Sequence, residues 1–189
     1  MSEQKYCPSC GVMVDTIVLM KGGGEEIACH NCAFVFKVST KPIRALRAVL
    51  TAEDSPVLLR KVAEMLEARQ IARTVITCKN GEEFIEKAVS RLRAGLPISM
   101  AILDITMPIL NGVNAAIALR AIERGVGVAK KIPVLFFTAN KCDATLKKVL
   151  SYCAPAHCIN KGTGSSPEEF ADRIYNVIAG LLQEQGGKE

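Results

Sequence analysis

The chain has 189 residues, 49% of them hydrophobic and 23% charged, with a formal net charge of +5, eight cysteines and no tryptophan. At about 100–200 residues per domain this is room for one ordinary domain and something small, and the apolar fraction excludes a largely disordered chain. No uncharged apolar run of about 18 residues is present, which excludes a spanning helix. No apolar segment follows a basic start, so no secretory signal is expected and a cytoplasmic location is. In a reducing compartment, regularly spaced cysteines point to metal before disulfides.

Residues 1–40 hold three lysines against four acids, a net −1, which leaves 21 basic and 15 acidic residues, a net +6, for the rest. Cys7-Pro8-Ser9-Cys10 and Cys29-His30-Asn31-Cys32 are two Cys-x-x-Cys turns separated by the 18 residues 11–28. Each turn can offer two thiolates to one ion, and together they complete a tetrahedral four-cysteine site for Zn²⁺. A redox pair would need a surrounding βαβ pattern, which this segment lacks. The segment between the turns reads as a β-hairpin, strand-like at Val12, Val14 and 17–19, turning at Gly22-Gly23-Gly24 and returning over 26–28; 33–38 reads as a last short strand, and His30 as a loop residue. So short a segment with few large apolar groups needs its metal to fold; structural zinc contributes on the order of 10–16 kcal/mol. The segment resembles the short bacterial zinc ribbons found beside signalling domains.

A polar, proline-containing linker at 41–45 leads into a domain expected over 46–185. Its pattern alternates strand and helix, which predicts an α/β, doubly wound five-stranded parallel sheet with right-handed crossovers. Strands are expected at 46–52, 71–77, 98–103, 133–137 and 156–160, with helices at 56 onward, 80–93, 113–123, 141–151 and 167–182. Ser55-Pro56 and Ser166-Pro167-Glu168-Glu169 are helix starts, serine capping and proline at the first helical position. The second adds a capping-box glutamate.

The strand ends carry the chemistry. The first strand runs into Glu53-Asp54, the third into Asp104, the fourth into Thr138 and the fifth into Lys161. In an open parallel sheet ligands bind beyond the carboxyl ends of the strands, so these groups are expected on one edge. Three crowded carboxylates call for a hard cation, and magnesium (Mg²⁺) is the natural one. A carboxylate beside it can attack a phosphoryl donor, while metal, ammonium and hydroxyl hold the phosphoryl oxygens.

Residues 44–185 resemble the response-regulator receiver domain of two-component signalling, a CheY-like, flavodoxin-like fold. The resemblance rests on Glu53-Asp54-Ser55-Pro56, on Ile102-Leu103-Asp104-Ile105-Thr106-Met107-Pro108 with Asn111-Gly112, on Phe137-Thr138-Ala139, and on Lys161. It implies that Asp104 accepts a phosphoryl group from a histidine kinase or phosphotransfer protein. It implies too that Asp54, Asp104 and the backbone carbonyl of Thr106 ligate Mg²⁺, with Glu53 helping through water. Thr138 and Lys161 would hold phosphoryl oxygens. Such a protein is a phosphoacceptor that catalyses its own phosphorylation and slow dephosphorylation, not a conventional enzyme.

Three departures stand out. Lys161 is followed by Gly162-Thr163-Gly164 where the family has a cis-proline, and Cys158 stands at the switch-aromatic position. The stretch from Asp104 to Thr138 is long, with 125–127 expected as an extra loop. Thr106 and Asn140, at the positions that tune phosphoryl lifetime, are not acidic, so a long-lived phosphoryl group is expected. No output motif follows the last helix, so output is expected through protein interactions of the receiver surface or the ribbon with a downstream partner. Phosphorylation-dependent homodimerisation would use the faces of the helices after the fourth and fifth strands, the usual site in this family. The alternatives are a phosphate-independent pseudo-receiver and a nucleic-acid regulator acting through the ribbon, which the ribbon's negative charge argues against. A redox pair of Cys153 and Cys158 competes with their reading as buried packing residues.

Overall fold

A computed structural model describes residues 4–21, 24–36, 45–139, 143–162 and 166–186. The expected turn at Gly22-Gly23, most of the linker, Asn140 and Thr163-Gly164 lie outside the described residues. By packing, the chain forms two compact units. One comprises Met1–Ile43, Ala139–Cys142 and Ile159–Glu189, the other Arg44–Thr138 and Asp143–Cys158.

The N-terminal segment is a three-stranded antiparallel sheet of β1 (Gln4–Cys7), β2 (Val12–Lys21) and β3 (Gly24–Cys29), in that order. β1 is an addition to the expected elements, while β2 and β3 pair antiparallel as the expected hairpin does. The register of β2 sets Val12 opposite Cys7 and Thr16 opposite Cys29, so one strand runs past both cysteine turns. Of the expected strand at 33–38, Val35 alone among the described residues forms a bridge, to Ala28. Cys7, Val14 and Cys29 make a miniature buried core, flanked by Phe34 and Phe36 packed edge to face.

The second sheet is parallel, in the order β5-β4-β6-β7-β8, from β4 (Val49–Ala52), β5 (Val75–Cys78), β6 (Met100–Asp104), β7 (Val134–Thr138) and β8 (Ala156–Asn160). β4, β6 and β7 are buried along their whole length, as central strands covered on both faces must be. β4 and β5 start later than expected because Leu46 and Ala72 meet only in an isolated bridge. The crossovers are α1 (Pro56–Ala68), α2 (Gly81–Arg93), α3 (Gly112–Val126) and α4 (Ala144–Tyr152). Ser55, Asn80, Asn111 and Asp143 cap these four helices through their side chains.

The extra loop expected at 125–127 is not there. α3 continues through Val126, and Gly127, at φ 75°, closes it as a left-handed cap. The last helix, α5 (Pro167–Gly186), runs on past the expected end at 182. α5 opens on the expected capping box, Glu169 N–H donating to Ser166 Oγ at 3.1 Å and Ser166 N–H to Glu169 Oε2 at 2.9 Å. Among the described residues no helix is long and apolar enough to cross a membrane.

One buried ion pair organises the second unit. Arg120 Nη1 donates to both carboxylate oxygens of Glu123 at 2.6 and 2.7 Å, Nε to the Cys153 carbonyl at 3.0 Å and Nη2 to the Ile132 carbonyl at 2.7 Å. Glu123 Oε1 also accepts from Ile132 N–H at 2.6 Å, so α3 is tied to the segment entering β7 and to the end of α4. Removing one partner strands the other charge in the interior. Glu123→Ala should therefore lower the unfolding free energy by about 3–5 kcal/mol, read from the urea midpoint.

Candidate functional site

Two clusters of ligating side chains form, one in each unit. At the carboxyl ends of β4 and β6, a carboxylate oxygen from each of Glu53, Asp54 and Asp104 lies within 4.8 Å of the other two. Glu53 and Asp104 are buried and Asp54 is exposed, which gives the cluster one open side. Backbone bonds fix the approach: Glu53 N–H donates to the Cys78 carbonyl, and Glu53 Oε1 accepts from Ser55 N–H at 3.2 Å, just where α1 begins. Beyond β6, Asp104 Oδ1 accepts from Thr106 N–H at 3.3 Å. The β6–β7 register puts Asp104 opposite Phe137, so the buried Thr138 stands one residue further along the neighbouring strand.

The turn after Asp104 is closed by Gly112. Its N–H donates to the Ile105 carbonyl at 3.1 Å, and a Cβ placed there would sit only 2.0 Å from the Asp104 carbonyl oxygen. Sequence inspection registered Gly112 as part of a motif but not this contact, which only the folded turn reveals. Lys161 directly follows β8, in the other unit, where its carbonyl lies 3.4 Å from Arg173 Nη1.

In the N-terminal unit, Cys7, Cys10, Cys29 and Cys32 bring their four sulfurs within 4.8 Å of one another. Cys7 and Cys32 are 3.7 Å apart and Cys10 and Cys29 3.8 Å. Those are not disulfide distances, whereas a tetrahedron of sulfurs about 2.3 Å from a central zinc has edges of about 3.8 Å. Each turn also aims a backbone N–H at its first sulfur, Cys10 N–H at Cys7 Sγ (3.4 Å) and Cys32 N–H at Cys29 Sγ (3.5 Å). The crowded sulfurs share protons: hydrogen bonds from Cys10 and Cys7 hold the Cys32 thiol far below its usual range, and the Cys10 thiol is pushed far above it, first by its bond to Cys32. His30, in the second turn, is exposed and outside the cluster. The remaining described cysteines, Cys78, Cys153 and Cys158, are buried and form no disulfide, and burial pushes the Cys78 thiol up to about 12.

Fold and carboxylate cluster together define an open, doubly wound α/β protein with an acidic edge at its strand ends. The model of the response regulator receiver domain matches residues 49–170, and the chain belongs to that family, whose general role is to accept a phosphoryl group in signalling. Among solved structures, the response regulator domain of Thermotoga maritima CheB is 22% identical, covering 73% of this chain and 97% of its own, with a TM-score of 0.56. The receiver domain of the histidine kinase CKI1 from Arabidopsis thaliana, complexed with Mg²⁺ and BeF₃⁻, is 18% identical over 70% of this chain and 90% of its own, with a TM-score of 0.55. CheY in the CheX-CheY-BeF₃⁻-Mg²⁺ complex of Borrelia burgdorferi is 21% identical over 70% and 90%, with a TM-score of 0.51. At these identities the likeness is one of fold. None of the curated proteins matches the chain.

Replacing Gly112 with alanine would force the Asp104 carbonyl away. Gly112→Ala should cost roughly 1–3 kcal/mol as an overpacking change, seen as a lowered urea midpoint. Gly125→Ala, where a Cβ meets nothing within 4 Å, should not destabilise.

Proposed function

We propose that the protein is a two-component response regulator whose Asp104 accepts a phosphoryl group from a histidine kinase or phosphotransfer protein. The observation that carries this reading is the gathering of Glu53, Asp54 and Asp104 within 4.8 Å at the strand ends. Three carboxylates with one exposed member fit a hard, partly hydrated dication, and a solved receiver of the same fold was crystallised with Mg²⁺ and BeF₃⁻. Asp54, Asp104 and the Thr106 carbonyl would hold the metal, Glu53 assisting through water. When bound, Mg²⁺ supplies positive charge to the phosphoryl oxygens.

Asp104 attacks through a carboxylate oxygen and needs no general base. Its oxygen forms the new O–P bond as the bond from phosphorus to the donor nitrogen or oxygen breaks, and the leaving group keeps that electron pair. The Thr138 hydroxyl and the Lys161 ammonium take the oxygens of the transferred group. Thr106 offers no carboxylate to orient a water, which supports a long-lived acyl phosphate. Incubation with acetyl phosphate and Mg²⁺ should add one phosphoryl group to the intact mass of the wild type and none to Asp104→Ala. A wild type that gains nothing would instead support a phosphate-independent pseudo-receiver.

The N-terminal part, residues 1–40, acts in this proposal as a zinc ribbon, joined through 41–45 to a receiver over 46–185, and the protein works in the cytoplasm. The sulfur spacing of 3.7 and 3.8 Å supports zinc. The ribbon's output is a protein contact. Val18 and Met20 on β2 are exposed on one face beside Ile27, the partner of Val18 on β3, an apolar patch that suits a protein surface better than phosphates. Because zinc must displace thiol protons, retention should weaken steadily as pH falls, and a chelator competition between pH 8 and pH 6 should show it. Cys29→Ser should release the metal at any pH in that range.

A further inference from the structure

α5 buries Phe170, Ile174, Val177, Ile178 and Leu181, and in the middle of that apolar stripe stands Arg173, only 5% exposed. A buried guanidinium is costly unless its donors are saturated. The acceptors here are main-chain carbonyls from two separate segments of the same compact unit. Nε donates to Pro8 O at 3.0 Å and Nη2 to Ser9 O at 3.4 Å; Nη2 also donates to Asn160 O at 2.6 Å and Nη1 to Lys161 O at 3.4 Å. Pro8 and Ser9 are the two residues between the first pair of cysteines. Asn160 and Lys161 are the end of β8 and the residue after it.

The two segments also meet directly, Asn160 N–H donating to Ser9 O at 2.7 Å, and Asn160 Oδ1 accepts from Gly162 N–H at 2.7 Å. Gly162 sits at φ 77°, so the loop holding Lys161 is bounded by a residue of wide conformational freedom and needs outside anchoring. On the other side, the guanidinium occupies the space over Gly11: a Cβ there would lie 2.5 Å from Nη2. A single cation thus pins the metal turn to the lysine loop. The carbonyls of Pro8 and Ser9 belong to the turn between Cys7 and Cys10, which Gly11 N–H closes on the Cys7 carbonyl at 2.7 Å.

We propose that Arg173 is a positioning residue for Lys161, and that through it the metal state of the four cysteines and phosphoryl transfer at Asp104 are coupled. The second half rests on the function proposed above. Coupling of this kind is reciprocal: whatever factor zinc contributes to binding at the phosphoryl site, occupancy of that site contributes to zinc retention.

The test uses the full-length protein with acetyl phosphate and Mg²⁺, the phosphorylation rate being read by intact mass. Stripping zinc with a chelator should slow the wild type about tenfold, within the usual range of coupling between sites. Arg173→Ala should be slow even with zinc bound, and Arg173→Lys, which keeps the charge and one donor, should recover part of the rate. Gly11→Ala, which drives the guanidinium out, should behave like Arg173→Ala and stands in for it if that variant does not fold. A structural role alone would add to the effect of losing Lys161, whereas positioning predicts that Lys161→Ala with Arg173→Ala is no slower than Lys161→Ala. Beryllofluoride with Mg²⁺ should raise zinc retention in the wild type and not in Arg173→Ala. Equal wild-type rates with and without zinc, or additive effects in the double variant, would overturn the coupling while leaving the phosphoryl chemistry intact. A wild type inert to acetyl phosphate would overturn both.

Discussion

The constraint on which the rest depends is electrostatic crowding at the ends of β4 and β6. Like charges about 4 Å apart repel by on the order of 4 kcal/mol each at an effective dielectric near 20. Glu53, Asp54 and Asp104 gather closer than free carboxylates would choose, and two of the three are buried. The fold holds them with backbone: the parallel register sets the two strand ends level, Ser55 N–H and Thr106 N–H each bond a carboxylate oxygen, and Gly112 lets α3 start against the Asp104 carbonyl. In the function proposed above, a cation would relieve that repulsion.

A second theme is the use of charge inside apolar stripes. Arg120 and Glu123 lie on the same face of α3 as Ala115, Ala116 and Leu119, and Arg173 lies among the apolar residues of α5. In each case the guanidinium also reaches main-chain carbonyls of other segments, Cys153 and Ile132 for Arg120, and Pro8, Ser9, Asn160 and Lys161 for Arg173. An apolar side chain could fill the space but could not dictate which loop lies there. Cation placement therefore sets connectivity between segments, a task that nonspecific burial performs poorly.

These themes explain what was legible in advance. The two clusters of ligating side chains were readable because their residue types are unusual where they stand: carboxylates at the ends of apolar strands, and cysteines in matched pairs. Helix starts at Ser55, Asn80 and Ser166 were readable because capping is local. Strand lengths were not, since apolar runs such as 71–77 continue past the point where a neighbour is available to pair. The run of Gly125, Val126 and Gly127 looked like a loop, but a single glycine at φ 75° suffices to end a helix and the other can sit inside it. Arg173 was missed although it left a trace: it falls three residues after Phe170 and one before Ile174, an arginine at an inward position of the helix. Its partners, Pro8 and Ser9, are more than 160 positions away, and no local pattern encodes that.

The two cysteine turns share a backbone design but not its tolerance. Both place the residue after the second cysteine in the left-handed region, Gly11 at φ 71° and Ala33 at φ 58°. At Ala33 the dihedral is the sole demand described, and a methyl group already meets it at the modest cost that this conformation exacts from any L-residue. At Gly11 the dihedral and the volume are both claimed. As sequences drift, the second turn has substitutions to spend and the first has none, so the cysteine turn that touches Arg173 is the one whose spelling the fold keeps.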